Sequence, residues 1–331
     1  MPPWTVEEAL IESHPELYHY TNRIGLEGIW KTNSLWATHF SDLSDTSEIV
    51  SLIKPLEAAL EQRFRRQIIE NQHESLKIRR YIKKEGGLDA VARELTRNFV
   101  DANYEIAFKG GKVSPMAESF ICSFCSHAND HPYEQANGLL SQWRGYGGQG
   151  RYSLIFDTRE LDALLAREWR SHYWVKLDFA EVVYLDGPKT LEHKFPELLE
   201  AATAFMSRML GKSGKPNDDF VSSFFRAATL LKHRGFREER EVRIVAIPQS
   251  ERALVERGRT DEFSGRPPVK RAYKIGDSKR HLALFETLNA RLPIKKVIVG
   301  PGATQKSDYE FALSLVSDGV PISISETPFI G

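Results

Sequence analysis

The sequence has little cysteine. Its 331 residues include two, Cys122 and Cys125, which stand three positions apart. That argues against a disulfide-stapled secreted framework. Net charge is missing as well, because 45 Lys plus Arg balance 45 Asp plus Glu. No overall field draws the chain onto nucleic acid or an anionic membrane, although a local basic patch stays open. Long apolar runs are absent, and nothing approaches the roughly 20 residues of a membrane helix. The opening "MPPWTVEEALIESHPELYHYT" carries acids where a signal peptide needs an apolar stretch. There is no internal repeat and no low-complexity tract. These absences lead to the expectation of a cytoplasmic protein with no membrane partner.

What is present supports a substantial core. Hydrophobic residues make up 41% and charged residues 27%. The length suits one large domain, or one domain with sizeable insertions. "ELYHYTN" alternates as a strand, with Leu17, His19 and Thr21 on one face and Tyr18 and Tyr20 on the other. "RIGLEGIWKTN" predicts a short helix with Ile24, Ile29 and Trp30 inward, and "SLWATHF" a second strand. "SDLSDTSE" has the chemistry of turns and helix caps. Helical spacing then dominates about 48–110, where Pro55 is expected to kink or start a helix. It dominates again over about 189–235, as two helices joined by a "GKSGKPN" linker. Strands are expected at "ESFICSFCS", "GRYSLIFD", "DFAEVVYLDGP", "EVRIVAIP", "IKKVIVGPGAT" and "PISISETPF". A helix is expected after the second of these, and another near Ser307 to Asp318. The order predicts a single α+β domain over 1–331 with two helical insertions.

Several constellations bear chemistry. In "FREEREVRIVAIP", alternation puts Glu239, Glu241 and Arg243 on one strand face, opposite Val242, Ile244 and Ala246. Converging carboxylates suit a transition state with positive charge, whereas a solvated salt-bridge ladder explains the same residues without function. "CSFCSHANDH" offers Cys122, Cys125, His127 and His131, which are zinc ligand types. All four fall in one short segment, and the cysteines would face opposite sides of a strand. Core cysteines and no metal are expected. "WRGYGGQGRYS" lacks the Lys-Ser/Thr of a phosphate loop and reads as a tight turn, with Trp143 and Tyr146 beside it. "RFRRQIIENQHESLKIRRYIKK" is the most basic segment; it reads as a solvated helix face, with an anionic partner as the alternative.

Three stretches together resemble a known family. They are "LYHYTNRIGLEGIWKTNSLWATHFSDLSDTSE", "SFCSHANDHPYEQANGLLSQWRGYGGQGRYSLIFD" and "LKHRGFREEREVRIV". With the closing "IKKVIVGPGAT" and "PISISETPF", they look like the bacterial family catalogued as domain of unknown function 2971. More distantly that family resembles the ADP-ribosyltransferase superfamily, which cleaves NAD at its nicotinamide–ribose bond. The resemblance implies a split mixed β-sheet core of the ADP-ribosyltransferase kind. It implies NAD as substrate and an ADP-ribose acceptor that is a protein or a nucleic acid. A role in toxin action or defence against phage is a further expectation. On the superfamily pattern Glu241 matches the catalytic glutamate and Glu239 the accessory one, while His19 matches the histidine that bonds a ribose hydroxyl. Thr21 matches the small hydroxyl residue that follows, although Tyr20 stands where a glycine is common. Trp36 falls near the aromatic position, usually a tyrosine, and Ser41 or Ser44 near the serine that bonds the nicotinamide amide. Tyr20, Trp36 or Tyr152 would stack on nicotinamide, Trp143 would border the site, and Arg144, Arg151 or Arg243 would neutralise pyrophosphate. Two other readings keep the fold. One is an RNA 2′-phosphotransferase using Arg240, Arg243 and His233. The other is a nucleotide-binding module without turnover.

Overall fold

The computed structural model describes residues 8–43, 47–72, 76–106, 118–127, 131–145, 150–209, 219–249, 270, 272–273, 280–316 and 319–328. The strands are β1 (Glu16–Thr21), β2 (Leu35–His39), β3 (Phe120–Phe124), β4 (Tyr152–Asp157), β5 (Trp174–Glu181) and β6 (Val183–Leu185). They continue with β7 (Leu231–His233), β8 (Val242–Pro248), β9 (His281–Leu284), β10 (Ile294–Val299) and β11 (Ile322–Ile324). The helices are α1 (Glu8–Ser13), α2 (Arg23–Thr32), α3 (Ser47–Gln72), α4 (Leu76–Lys84), α5 (Leu88–Tyr104) and α6 (Pro132–Asn137). After them come α7 (Leu140–Gly145), α8 (Thr158–Ser171), α9 (Pro188–Lys194), α10 (Pro196–Met209), α11 (Asp219–Leu230) and α12 (Gln305–Leu315). The chain is α+β with mixed sheets. None of the described helices is long and apolar enough to cross a membrane.

The chain divides into two compact units. The first combines residues 1–43, 118–182 and 237–331; the second combines 44–117 and 183–236. The second unit holds the helices expected over about 48–110 and 189–235.

Two sheets make the first unit. One has the order β1-β4-β10-β11, antiparallel except for the parallel pair β10–β11. The other is antiparallel throughout, in the order β5-β8-β3-β2-β9. Alternation sends Tyr152, Leu154, Phe156, Val297 and Val299 from the first sheet into one cluster with Phe120, Cys122, Phe124, Val242, Ile244 and Ala246 from the second. Helix α8 adds Leu161, Leu164 and Leu165 to that cluster. Asp157 caps α8 by accepting the Glu160 N–H at 3.0 Å.

The opposite face of the first sheet packs Tyr18, Tyr20, Ile155 and Ile298 around Trp143 and Cys125. Trp143 is closely confined. A methyl group at Gly138, where φ is +75°, would lie 2.5 Å from its ring, and one at Gly300 would lie 2.7 Å away. Only glycine leaves room at both positions.

The second unit gathers α3, α5, α10 and α11 around aromatic rings. Phe99 lies 5.4 Å from Phe64, 5.2 Å from Phe205 and 4.7 Å from Phe220 between ring centroids. Strands β6 and β7 pair in parallel beside these helices.

Some local expectations change. Ile24 is 75% exposed, because the inward stripe of α2 runs through Leu26 and Ile29, with Trp30 half-buried. Of the two expectations for Pro55, a helix start does not hold, because it lies inside α3. The expected strand around residue 180 starts earlier, at Trp174, and breaks into β5 and β6. The end of the expected helix at 231–233 is strand β7. The opening of "FREEREVRIVAIP" is a 3-10 turn over Arg234–Glu239, followed by Arg240 at φ +44°. The strand begins only at Val242. Glu239 therefore stands outside the alternation that was to align it with Glu241. The "GKSGKPN" linker lies outside the described residues.

A buried ionic cluster sits under β9. Glu168 of α8 is fully buried, and its Oε2 accepts the Phe285 N–H at 3.1 Å. Its Oε1 meets Lys270 Nζ at 2.9 Å and His172 Nδ1 at 3.5 Å, both off the angle of a good hydrogen bond. Burial, opposed by Glu168 and joined by Lys270, lowers the His172 pKa. Removing one member of a buried pair strands the other charge. Lys270→Met should cost about 3–5 kcal/mol, read from denaturant midpoints. The double variant Lys270→Met with Glu168→Leu should recover part of that loss.

Candidate functional site

Strands β2 and β3 pair at one end only. Thr38 stands opposite Ile121 and His39 opposite Phe120; beyond them the ladder stops and the strands part. Strand β1 comes into the opening. Tyr18 and Cys125 exchange two backbone hydrogen bonds, each 2.8 Å, which tie the two sheets together. One residue on, the His19 side chain takes the place of a strand. Its Nδ1–H donates to the Ser123 carbonyl at 3.0 Å. A carbonyl can only accept, so Nδ1 carries the proton and Nε2 is left as an acceptor. The ring is half-buried beside Phe124, with centroids 5.6 Å apart. Burial lowers its pKa, and the Ser123 bond only partly offsets this, so the imidazole is neutral.

Ser123 stands opposite Arg243 in the β3–β8 register. Val242 and Ile244 enter the core, so Arg243 points from the other face of the sheet. There its Nε donates to Glu241 Oε1 at 2.7 Å and its Nη2 to Oε2 at 3.1 Å. Both side chains are only 3% exposed. This is a two-bond guanidinium–carboxylate fork held out of water. Leu35 and Ala37 also enter the core, so Trp36 stands on the same outward face as Arg243. Its ring stacks on His281, with centroids 4.2 Å apart and planes 21° apart, and it remains 41% exposed. Trp36 on β2 and Arg243 on β8 thus share one face of the second sheet on either side of β3, and His19 reaches β3 from β1 at the Ser123 carbonyl.

Ser41 is bound into a cluster at the end of β2. Its Oγ is 2.8 Å from His39 Nδ1, 3.1 Å from Asp42 and 3.0 Å from Arg280 Nη2. Arg280 Nη2 is also 2.7 Å from His39 Nδ1, which must accept. Partial burial opposes ionisation of Asp42, but the Arg280 N–H and the Ser41 hydroxyl outweigh it and hold its carboxyl below the ordinary value. Ser44 and Tyr146 lie outside the described residues.

Other expected contacts fall elsewhere. Tyr20 points to the opposite face of β1, where its hydroxyl accepts the Leu139 N–H at 2.8 Å and lies 3.1 Å from His127 Nε2. Trp143 is fully buried and donates from Nε1 to the Asn137 carbonyl at 2.9 Å. Tyr152 is fully buried in the inter-sheet core and donates to the Asp308 carbonyl at 3.1 Å. None of these rings offers a face to a ligand, because packing has taken both sides. Thr21 is buried beside Gly25. Arg151 staples the Trp143 and Pro301 carbonyls, at 2.9 and 3.1 Å, and is not turned toward the gap. Arg144 and Arg240 are exposed. His233 is exposed in the second unit. Half-buried Glu239 accepts the Ser126 N–H through its carbonyl.

The cysteines part company as strand geometry requires. Cys122 enters the inter-sheet core, where burial pushes its thiol up to about 12, and Cys125 packs with Tyr18 and Trp143. No three His, Cys, Asp or Glu among the described residues could hold a metal ion. Sequence reasoning passed over His281, Arg280 and the Ser123 carbonyl. For the first the signal was there: "HLALF" is a short apolar run, and alternation sets His281 on the Trp36 face. Set against known proteins, the chain matches no family model, no curated protein and no solved structure.

His127, on the loop that leaves β3, gives a test of this geometry. It is buried, with Nδ1 lacking a partner among the described residues. Burial, with a smaller push from Arg240, lowers its pKa to about 4. An unfolded chain protonates its histidine near 6.5. The folded state therefore loses stability as pH falls from about 6.5 toward 4, since the unfolded state binds the proton first. NMR titration should place His127 near 4, and His127→Asn should flatten this part of the stability–pH curve.

Proposed function

We propose that the first unit is an NAD-cleaving enzyme, an ADP-ribosyltransferase that acts as an NAD glycohydrolase when water is the acceptor. The reading includes an ADP-ribosyltransferase-like split sheet. One observation carries it. His19 occupies the opening between β2 and β3 through the Ser123 carbonyl, and Ser123 stands opposite the arginine that grips Glu241. The resemblance drawn from the sequence names His19, Glu241 and Arg243 among these, although no family model matches the chain.

The chemistry follows from the protonation states. Neutral His19, with Nε2 as acceptor, takes a hydrogen bond from a ribose hydroxyl and orients the sugar. The C1′–N bond breaks, its electron pair leaves with nicotinamide, and an oxocarbenium-like ribose remains. The Glu241 carboxylate stabilises that positive charge. The exposed face of Trp36 stacks on a ring of the dinucleotide. Glu241 and Arg243 must part for this to happen, and the pyrophosphate supplies Arg243 with its replacement anion.

A second reading has an observation in its favour. Both Glu241 oxygens are occupied and shielded, which suits a nucleotide-binding module without turnover. The RNA 2′-phosphotransferase reading asks Arg240, Arg243 and His233 to grip one phosphate; Arg240 is exposed, His233 belongs to the second unit, and no observation favours the set.

Purified protein mixed with NAD should release nicotinamide. Glu241→Gln should slow release by roughly 100-fold, the scale of losing one electrostatic stabiliser. Because that change also disturbs the buried fork with Arg243, His19→Ala serves as the partner variant. It should weaken turnover and, by leaving the Ser123 carbonyl without its donor, lower the melting temperature somewhat, so turnover is compared at a temperature where both proteins stay folded. NAD binding without turnover would select the binding module, and neither binding nor turnover would remove both readings.

A further inference from the structure

The overall charge of the chain is balanced, but one helix of the second unit is not. Helix α4, "LKIRRYIKK", holds five basic residues in nine and no acid. Ile78 and Ile82, one turn apart, pack against the Ile68, Val91 and Ala92 cluster. Helical spacing then turns Lys77, Arg80, Tyr81 and Lys84 outward, at i, i+3, i+4 and i+7. Lys84 pairs with Glu85 at 3.1 Å. Lys77, Arg80 and Lys83 make no ion pair among the described residues, and all three are exposed. Tyr81 lies among them, 41% exposed.

We propose that this face of α4 binds single-stranded nucleic acid. The charges answer the phosphodiester backbone, and the tyrosine offers a stacking surface for a base. From Lys77 to Lys84 the helix rises about 10 Å, which spans about three nucleotides at 3.4 Å each. A membrane surface fits less well. A surface-lying helix inserts its apolar face, and here Ile78 and Ile82 are already committed to the protein. A folded acidic protein would answer the lysines and arginines but gives no use to the tyrosine ring. The proposal concerns the second unit and stands apart from the NAD chemistry.

The test is fluorescence anisotropy on the full chain, without NAD, using labelled 12-nucleotide RNA and DNA, their duplexes, and phosphatidylserine vesicles. Single strands should bind with an affinity that falls with salt. Replacing Lys77, Arg80 and Lys83 together by Gln should reduce the log–log salt slope by about 2, from roughly 0.7 per lost charge. Tyr81→Ala should weaken single-strand binding about tenfold and leave duplex binding unchanged. Circular dichroism should show the helices intact in both variants. Comparing the RNA and DNA arms identifies the sugar, and binding in either arm supports the proposal. No single-strand binding, variants that bind like wild type, or a preference for the vesicles would each overturn it.

Discussion

Two backbone hydrogen bonds hold the candidate site together. The exchange between Tyr18 and Cys125 is the place where the four-stranded sheet reaches the five-stranded one. Strand β1 can enter there only because β2 leaves β3 after two paired residues. A ladder broken in this way leaves carbonyls that must find donors. His19 meets that need at Ser123 with a side chain instead of a backbone. The same bond fixes the tautomer, so one requirement of the fold determines which nitrogen of His19 is left as an acceptor.

The second constraint is electrostatic. Glu241, just before β8, and Arg243 within it are buried and joined by two hydrogen bonds, which help each to remain charged without water. Any ligand of the site has to supply charge as well as shape. On the proposed chemistry, an anion that draws Arg243 away frees the Glu241 carboxylate to face a sugar that is losing its leaving group. A neutral ligand leaves the fork closed. The pair can thus work as a stabilising element or as a latent reactive one, depending on what enters.

Much of this arrangement was legible in the sequence, and the failures have physical causes. The period-two runs around Leu17, Leu154, Ile244 and Val297 gave strands because each buries alternate residues in one core. The pairing of Glu241 with Arg243 on one face also follows from that period. Glu239 misled, because Arg240 adopts a left-handed backbone that no local pattern announces. Tyr20, Trp143 and Tyr152 stand near glycines and looked like ligand platforms. They are packed by residues more than a hundred positions away, such as Leu139 against Tyr20 and Asp308 against Tyr152. The role of Ser123 could not be read at all, since a carbonyl has no side-chain signature. It became visible only when β1 and β3 were seen to meet.

The two units are woven from one chain in alternating stretches, and this sets an order on synthesis. The second unit has its last residue at 236, whereas the first still awaits β8, β9, β10 and β11. A ribosome therefore delivers the whole helical unit before the sheets can close. Until β8 emerges, β3 has no neighbour on the side that will carry Arg243, and β5 lacks the strand it will pair with. The nascent sheets wait with open edges while the helices fold, and the newly made chain is most exposed to mispairing in that interval.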